Sequence, residues 1–179
     1  MKVLRSTTVT LLLSSLVSRL PPRLVLGTYP SPLEDRPELA RLFGAEILTV
    51  KREDLNGSPF GGNKLRAIEW LLPTRGCSIV TMGGYGSTWC AALAAASEQT
   101  EARVHAALFP QPWSPTVAGV LSTTIARGDV HLAASRWGLP RAIAGAWRAA
   151  RRDGRASWIP AGGATPVAVL GSVNAAREL

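Results

Sequence analysis

The sequence of 179 residues contains little cysteine, histidine or lysine, and each scarcity restricts its chemistry. Cys77 and Cys90 are the only cysteines, and they form no CxxC motif or Cys/His cluster. Neither a disulfide framework nor a structural zinc site is therefore indicated. His105 and His131 lie in strand-like runs, where we expect satisfied core or flanking histidines. We predict no metal site.

The chain also lacks an apolar run long enough to span a bilayer. Lys2 and Arg5 precede the stretch from Val9 to Val17, in the outline of a signal peptide. This run is short and diluted by serine and threonine, and Arg19 with two prolines follows where a small-residue cleavage site would stand. We expect residues 1–17 to be an N-terminal extension of a cytoplasmic protein, with no membrane partner.

Basic residues outnumber acidic ones, and 20 Lys and Arg against 12 Asp and Glu give a formal net charge of +8. The arginines are mostly dispersed, without the aromatic or groove-reading elements expected of a nucleic-acid interface. The densest run, residues 148–155, lies on and just after an alanine-rich helix, where we expect a solvated face. We therefore predict no nucleic-acid partner. With 46% apolar residues, the chain has enough material for one folded core.

Helical and strand patterns alternate along most of the chain, without internal repeats or low-complexity tracts. This alternation predicts an α/β fold with a parallel sheet and helices on both faces, and ligands then bind at the carboxyl ends of the strands. The predicted helices are 36–43, 63–72, 87–98, 116–127, 140–152 and one from about 166, and the predicted strands are 46–51, 78–82, 103–109, 130–133 and 157–160.

A charged strand end runs into a glycine-rich turn between Lys51 and Arg66, in the sequence KREDLNGSPFGGNKLR. The turn delivers Lys64 to the start of a helix, where unpaired N–H groups and the helix dipole disfavour an ammonium. A neutral amine there is able to attack a carbonyl carbon. The alternative is a solvated lysine in a surface turn. Lysine is otherwise confined to Lys2 and Lys51, and arginine cannot replace its amine chemistry.

A second glycine-rich turn, Met82-Gly-Gly-Tyr-Gly-Ser-Thr88, follows an apolar strand and opens the next helix. Its N–H groups favour a negatively charged ligand. A dinucleotide fingerprint does not fit, because Trp89 stands where the third glycine belongs and no acidic residue ends the next strand. Ser87 is alternatively a plain helix N-cap. The turn from Pro160 to Pro166 also precedes a helix, and we assign it no role.

These motifs, with LGTYPSPLE from Leu26 and IPAGGATP from Ile159, resemble the pyridoxal-phosphate enzymes grouped as 1-aminocyclopropane-1-carboxylate (ACC) deaminase and D-cysteine desulfhydrase. The resemblance covers about residues 18–179 and implies a tryptophan-synthase-β-like fold of type II. It implies that Lys64 carries the cofactor, that Asn63 and Thr88 help to bind it, and that Ser87 meets the substrate carboxylate or acts in catalysis. The family has asparagine where this sequence has Thr88, so a threonine hydroxyl would have to make the contact with the cofactor ring.

The resemblance further implies a small amino-acid substrate, with either ring-opening deamination to ammonia and a 2-oxo acid or β-elimination that releases sulfide. Family members continue for roughly a second half, so we expect residues 18–179 to be the N-terminal part of a catalytic domain, incomplete at its C-terminus, that forms a homodimer when completed. The alternatives are a non-catalytic truncated remnant and a nucleotide-binding α/β domain.

Overall fold

Four parallel strands form the central sheet of the protein, in the order β5-β4-β3-β6. The structure, a computed structural model, describes residues 20–57, 60–74 and 76–179. The predicted extension over residues 1–17 lies outside the described residues. The strands of the sheet are β3 (Ser78–Gly84), β4 (Arg103–Phe109), β5 (Asp129–Leu132) and β6 (Ala156–Trp158).

Helices connect these strands and cover both faces of the sheet, as the alternating pattern predicted. Most of the helices begin at residues that favour a helix start, namely proline in the first turn or a serine or threonine N-cap. The helices are α1 (Pro37–Phe43), α2 (Asn63–Leu71), α3 (Thr88–Ser97), α4 (Pro115–Arg127), α5 (Leu139–Asp153) and α6 (Pro166–Ala176). None of them is both long enough and apolar enough to cross a membrane.

The core lies on the two sides of β3 and β4, because successive strand residues point to opposite faces. On one side Ile79 and Leu108 pack with residues of α2 and α3, including Ile68 and Leu93. On the other side, Val80 and Ala107 pack against the alanine stripe of α5, formed by Ala142, Ala146 and Ala150. Alanines four residues apart lie on one helix face and allow α5 to approach the sheet closely.

The strand predicted over 46–51 does not join the parallel sheet. Its observed part, β2 (Thr49–Lys51), pairs antiparallel with β1 (Leu33–Asp35) in a separate two-stranded ribbon. Strand β1 lies just before α1, where the sequence analysis predicted no strand. Local pattern does not determine which extended segments pair when each contributes only three residues.

Helix α6 packs directly on α2, which brings the end of the chain to the lysine motif. A side chain at Gly171 would place its Cβ 2.5 Å from the carbonyl oxygen of Arg66. Only glycine therefore permits this approach of the two helices. Pro166, at the start of α6, and Lys64, in the first turn of α2, line the same cleft.

His105 and His131 lie in β4 and β5, as predicted, and their rings are 6.1 Å apart. Burial lowers the pKa of both imidazoles. His105 is fully buried, yet neither of its ring nitrogens has a hydrogen-bond partner among the described residues. The expectation of a core histidine is thus confirmed for its burial, and the expectation that it is satisfied is wrong.

Candidate active site

The lysine motif folds into a tight loop that a buried asparagine holds closed. Asn56 is fully buried, and its Oδ1 accepts a hydrogen bond of 2.8 Å from the N–H of Gly62. Its Nδ2 donates to Glu53 Oε2 at 2.9 Å. Gly62 then caps α2 with φ of +96°, a conformation that disfavours any other residue. The loop therefore fixes where α2 begins and places Lys64 in its first turn.

Lys64 is half-buried and lines two neighbouring clefts. The Thr165 cleft, of about 610 Å³, is bounded by α2, Trp89 and the segment 162–166. The Thr88 cleft, of about 670 Å³, is bounded by the motif loop and the start of α3. Among the described residues, Lys64 has no hydrogen-bond or ion-pair partner. Its amine is therefore available to a ligand in either cleft.

The acidic residues of the Thr88 cleft are already paired with arginines. Arg66 binds Glu53 through Nε at 2.6 Å and lowers the pKa of that carboxyl, and Arg52 likewise lowers the pKa of Asp54. The Arg52 Nη2 to Asp54 Oδ2 distance is 2.8 Å. Because these carboxylates have other partners, Lys64 is not held in an ion pair at the mouth of the cleft.

Lys51, the other lysine of the described chain, is engaged in the fold. Its Nζ lies 2.7 Å from Glu178 Oε2 and donates to the Ser31 carbonyl at 3.2 Å. The acidic partner of Lys51 thus comes from the end of the chain, outside the lysine motif. Lys51 is thus a structural lysine, whereas the amine of Lys64 has no partner among the described residues.

Arg66 anchors the motif helix to the rest of the molecule. Its side chain is 2% exposed, binds both Glu53 and Glu178, and lies 4.3 Å from the centre of the Tyr29 ring. Arg66 lowers the pKa of Glu178 to about 2. Sequence analysis did not identify this role, because the acidic partner lies 112 residues away.

Ser87 and Thr88 occupy the start of α3, but they have different surroundings. Ser87 is the N-cap, and its Oγ accepts a hydrogen bond of 3.3 Å from the N–H of Cys90. The capping alternative is therefore confirmed, although the hydroxyl proton is still able to reach a ligand. Thr88 is exposed and lines the Thr88 cleft together with Asn63 and Lys64. The fold thus brings the three predicted cofactor-binding residues together, with Ser87 adjacent to them in sequence.

The loop before α6, to which sequence analysis gave no role, forms a wall of the Thr165 cleft. Gly162 and Gly163 have φ of +67° and +70°, and Thr165 caps α6 by accepting from the N–H of Ala168 at 3.3 Å. A Cβ at Gly163 would lie 2.3 Å from the Trp89 ring. This loop follows strand β6 at the carboxyl edge of the sheet, where ligands bind in such folds. That position is the signal that would have identified the loop as part of the site.

Comparison with known proteins agrees with this arrangement. No family model matches the chain. The chain is similar to ACC deaminases. It is 32% identical to the ACC deaminase of Variovorax paradoxus over 88% of its own length and 51% of that protein, and 31% identical to that of Methylobacterium nodulans over 84% of its length and 49% of that protein. The chain thus spans about half the length of the curated relatives it matches.

The fold matches a crystal structure of an ACC deaminase homologue with a TM-score of 0.75 and 24% sequence identity. This match covers 92% of the chain and 51% of the homologue. The resemblance predicted from the motifs and the predicted α/β fold are both confirmed, and the match again extends over about half of the larger protein.

Proposed function

We propose that this chain supplies the lysine-bearing part of a pyridoxal-phosphate-dependent deaminase or lyase that acts on a small amino acid. The observation that carries the proposal is the amine of Lys64, which has no partner in the part of the chain that the structure describes and lies between two open clefts at the carboxyl edge of a parallel sheet. The similarity to ACC deaminases over most of the chain supports the same assignment.

The residues at this site fit pyridoxal phosphate. A covalently held aldehyde cofactor needs a primary amine without a competing acid, and the acids of the Thr88 cleft are paired with Arg52 and Arg66. It also needs space beside the amine, which both clefts provide. Lys64 would hold the cofactor, with Asn63 and Thr88 as further contacts.

When bound, pyridoxal phosphate supplies an electron sink for the amino-acid carbanion. The protein's own part is to orient the substrate and move protons. We assign Lys64 Nζ both the attachment and the proton transfer at the substrate carbon. The Thr88 hydroxyl would donate a hydrogen bond to the cofactor ring, and the Ser87 hydroxyl would meet the substrate carboxylate.

The similarity to ACC deaminases supports a small amino-acid substrate, and the two reaction types come from the resemblance of the sequence motifs. The expected reactions are ring-opening deamination of ACC and β-elimination of sulfide from D-cysteine. Within this proposal the protein is cytoplasmic, and it works as a homodimer when joined to the part of its relatives that it does not span.

The experiment compares two proteins: the 179-residue chain, and this chain joined to the part of the Variovorax paradoxus deaminase that it does not span. We expect the joined protein to release a 2-oxo acid from ACC or sulfide from D-cysteine, in a reaction that depends on added pyridoxal phosphate. Lys64→Ala should abolish the release and Lys51→Arg should preserve it. Release that is equal with and without Lys64 would overturn the proposal.

A further inference from the structure

A cluster of metal-ligating side chains lies at the amino ends of the strands, away from Lys64. His105 is paired in register with Asp129, the first residue of β5, and Asp153 ends helix α5. One ligand atom from each of these three residues lies within 4.8 Å of the others. A cleft of about 320 Å³ is lined by all three, together with His131.

A second observation at this cluster concerns the burial and the polar contacts of His105. Its side chain is fully buried and lines this cleft, and within residues 20–57, 60–74 and 76–179 neither Nδ1 nor Nε2 has a hydrogen-bond partner. The nearest acceptors are Asp129 Oδ2, 3.6 Å from Nδ1, and Asp153 Oδ2, 3.3 Å from Nε2, and neither contact has hydrogen-bond geometry. A buried imidazole without a partner is costly, so a ligand at this position would satisfy an otherwise unfulfilled group.

We propose that His105, Asp129 and Asp153 bind a divalent transition-metal ion of the Zn²⁺ class. One imidazole nitrogen and two carboxylate oxygens are donors that Zn²⁺ accepts at about 2.0–2.2 Å, with water in the remaining position. Asp129 and Asp153 are 47% and 30% exposed, so their carboxylates have room to move the short distance to a shared ion.

In the structure, the guanidinium of Arg103 lies between the two carboxylates that would bind the metal ion. Its Nε lies 3.3 Å from Asp129 Oδ2 and its Nη1 lies 3.1 Å from Asp153 Oδ2. This side chain is 61% exposed, so it is able to turn into solvent when an ion binds. Asp153 also stands at the negative end of the α5 dipole, where a cation is favourable. The ion would therefore replace the guanidinium and join α5 to strands β4 and β5.

The test is a titration of the chelator-treated 179-residue chain, without an affinity tag, with Co²⁺ as a spectroscopic probe and Zn²⁺ as competitor. All proteins carry Cys77→Ser, so that this exposed thiol cannot supply a ligand. We expect one Co²⁺ per chain, displaced by Zn²⁺. Asp153→Asn and Asp129→Asn should each weaken binding at least about tenfold, since even outer-shell changes cost 10–100-fold.

The matched control is Glu101→Gln, which removes one negative charge from the same surface without touching a proposed ligand. It should leave the affinity unchanged, and Arg103→Met should raise it severalfold because the competing guanidinium is gone. His105→Leu should abolish binding, with its circular dichroism spectrum compared with that of the parent to verify folding. Equal Co²⁺ affinity in Asp153→Asn and the parent protein, or no saturable binding by the parent, would overturn the proposal. Neither result depends on Lys64.

Discussion

Arg66 Nη2 lies 2.7 Å from Glu178 Oε2, and this pair joins the helix that carries Lys64 to the last residues of the chain. Arg66 is buried, and Glu178 also accepts from the N–H of Ser31 and pairs with Lys51. One carboxylate thus connects three segments around the motif loop.

The first prediction is that Glu178→Gln lowers the free energy of unfolding by about 1.5–3 kcal/mol, the usual range for hydrogen bonds to charged groups. The larger penalty for leaving a buried charge unpaired does not apply, because Arg66 still pairs with Glu53 in this variant. Urea denaturation measures the change. Glu38→Gln, at an exposed position in α1, is the matched control and should change stability little.

The same pair predicts how stability depends on pH. Arg66 lowers the folded-state pKa of Glu178 to about 2, from an ordinary value of 4.5. The unfolded chain therefore binds the proton more readily, so this contribution is complete above pH 4.5 and is lost as the pH falls towards 2. The stability difference between the parent and Glu178→Gln should shrink across that interval. A difference that stays constant would contradict the ion-pair account.

The second prediction separates capping from catalysis at Ser87. Ser87→Ala removes the N-cap of α3 and should cost about 1 kcal/mol of stability. In the joined protein described above, it should also lower turnover while leaving cofactor attachment intact.

Ser114→Ala is its control, because Ser114 caps α4 with the same contact, its Oγ accepting from the N–H of Val117 at 3.2 Å. This variant should lose similar stability and keep its turnover. Loss of bound cofactor in Ser87→Ala, or equal turnover in the two variants, would contradict the role proposed for Ser87.

The third prediction concerns the loop that walls the Thr165 cleft. Gly162 and Gly163 have nearly the same positive φ, but only a Cβ at Gly163 would meet the Trp89 ring, since nothing lies within 4 Å of one at Gly162. Gly163→Ala should therefore cost about 1–3 kcal/mol more than Gly162→Ala, as overpacking does. Thermal or urea unfolding of the two variants measures the difference, and equal costs would show that the loop is not packed on Trp89.

Local sequence chemistry predicted most of the helices and strands. The predicted helix over 116–127 begins at Pro115 behind the Ser114 cap, and the strand predicted over 103–109 has those bounds in the structure. Such elements are set by residues close in sequence, namely caps, prolines and apolar periodicity.

Contacts between distant residues were not predictable in the same way. The pairing of β1 with β2, the Arg66–Glu178 pair and the approach of the Gly163 loop to Trp89 each depend on how separate segments pack. His105 is another example, because nothing in its strand indicates that two aspartates from β5 and α5 would lie beside it. The candidate site residues were named in advance from the motifs and stay predictions, whereas the residues that position them were not predicted.

The most direct measurement for the central claim is the identity of the lysine that carries pyridoxal phosphate. The 179-residue chain and the joined protein are each reduced with borohydride in the presence of the cofactor, and their peptides are mapped by mass spectrometry. The account predicts a stable pyridoxyl adduct on Lys64 that is absent in Lys64→Ala and retained in Lys51→Arg, with weaker labelling in the shorter chain. A selective adduct on Lys51, or no adduct on any lysine of the joined protein, would contradict it.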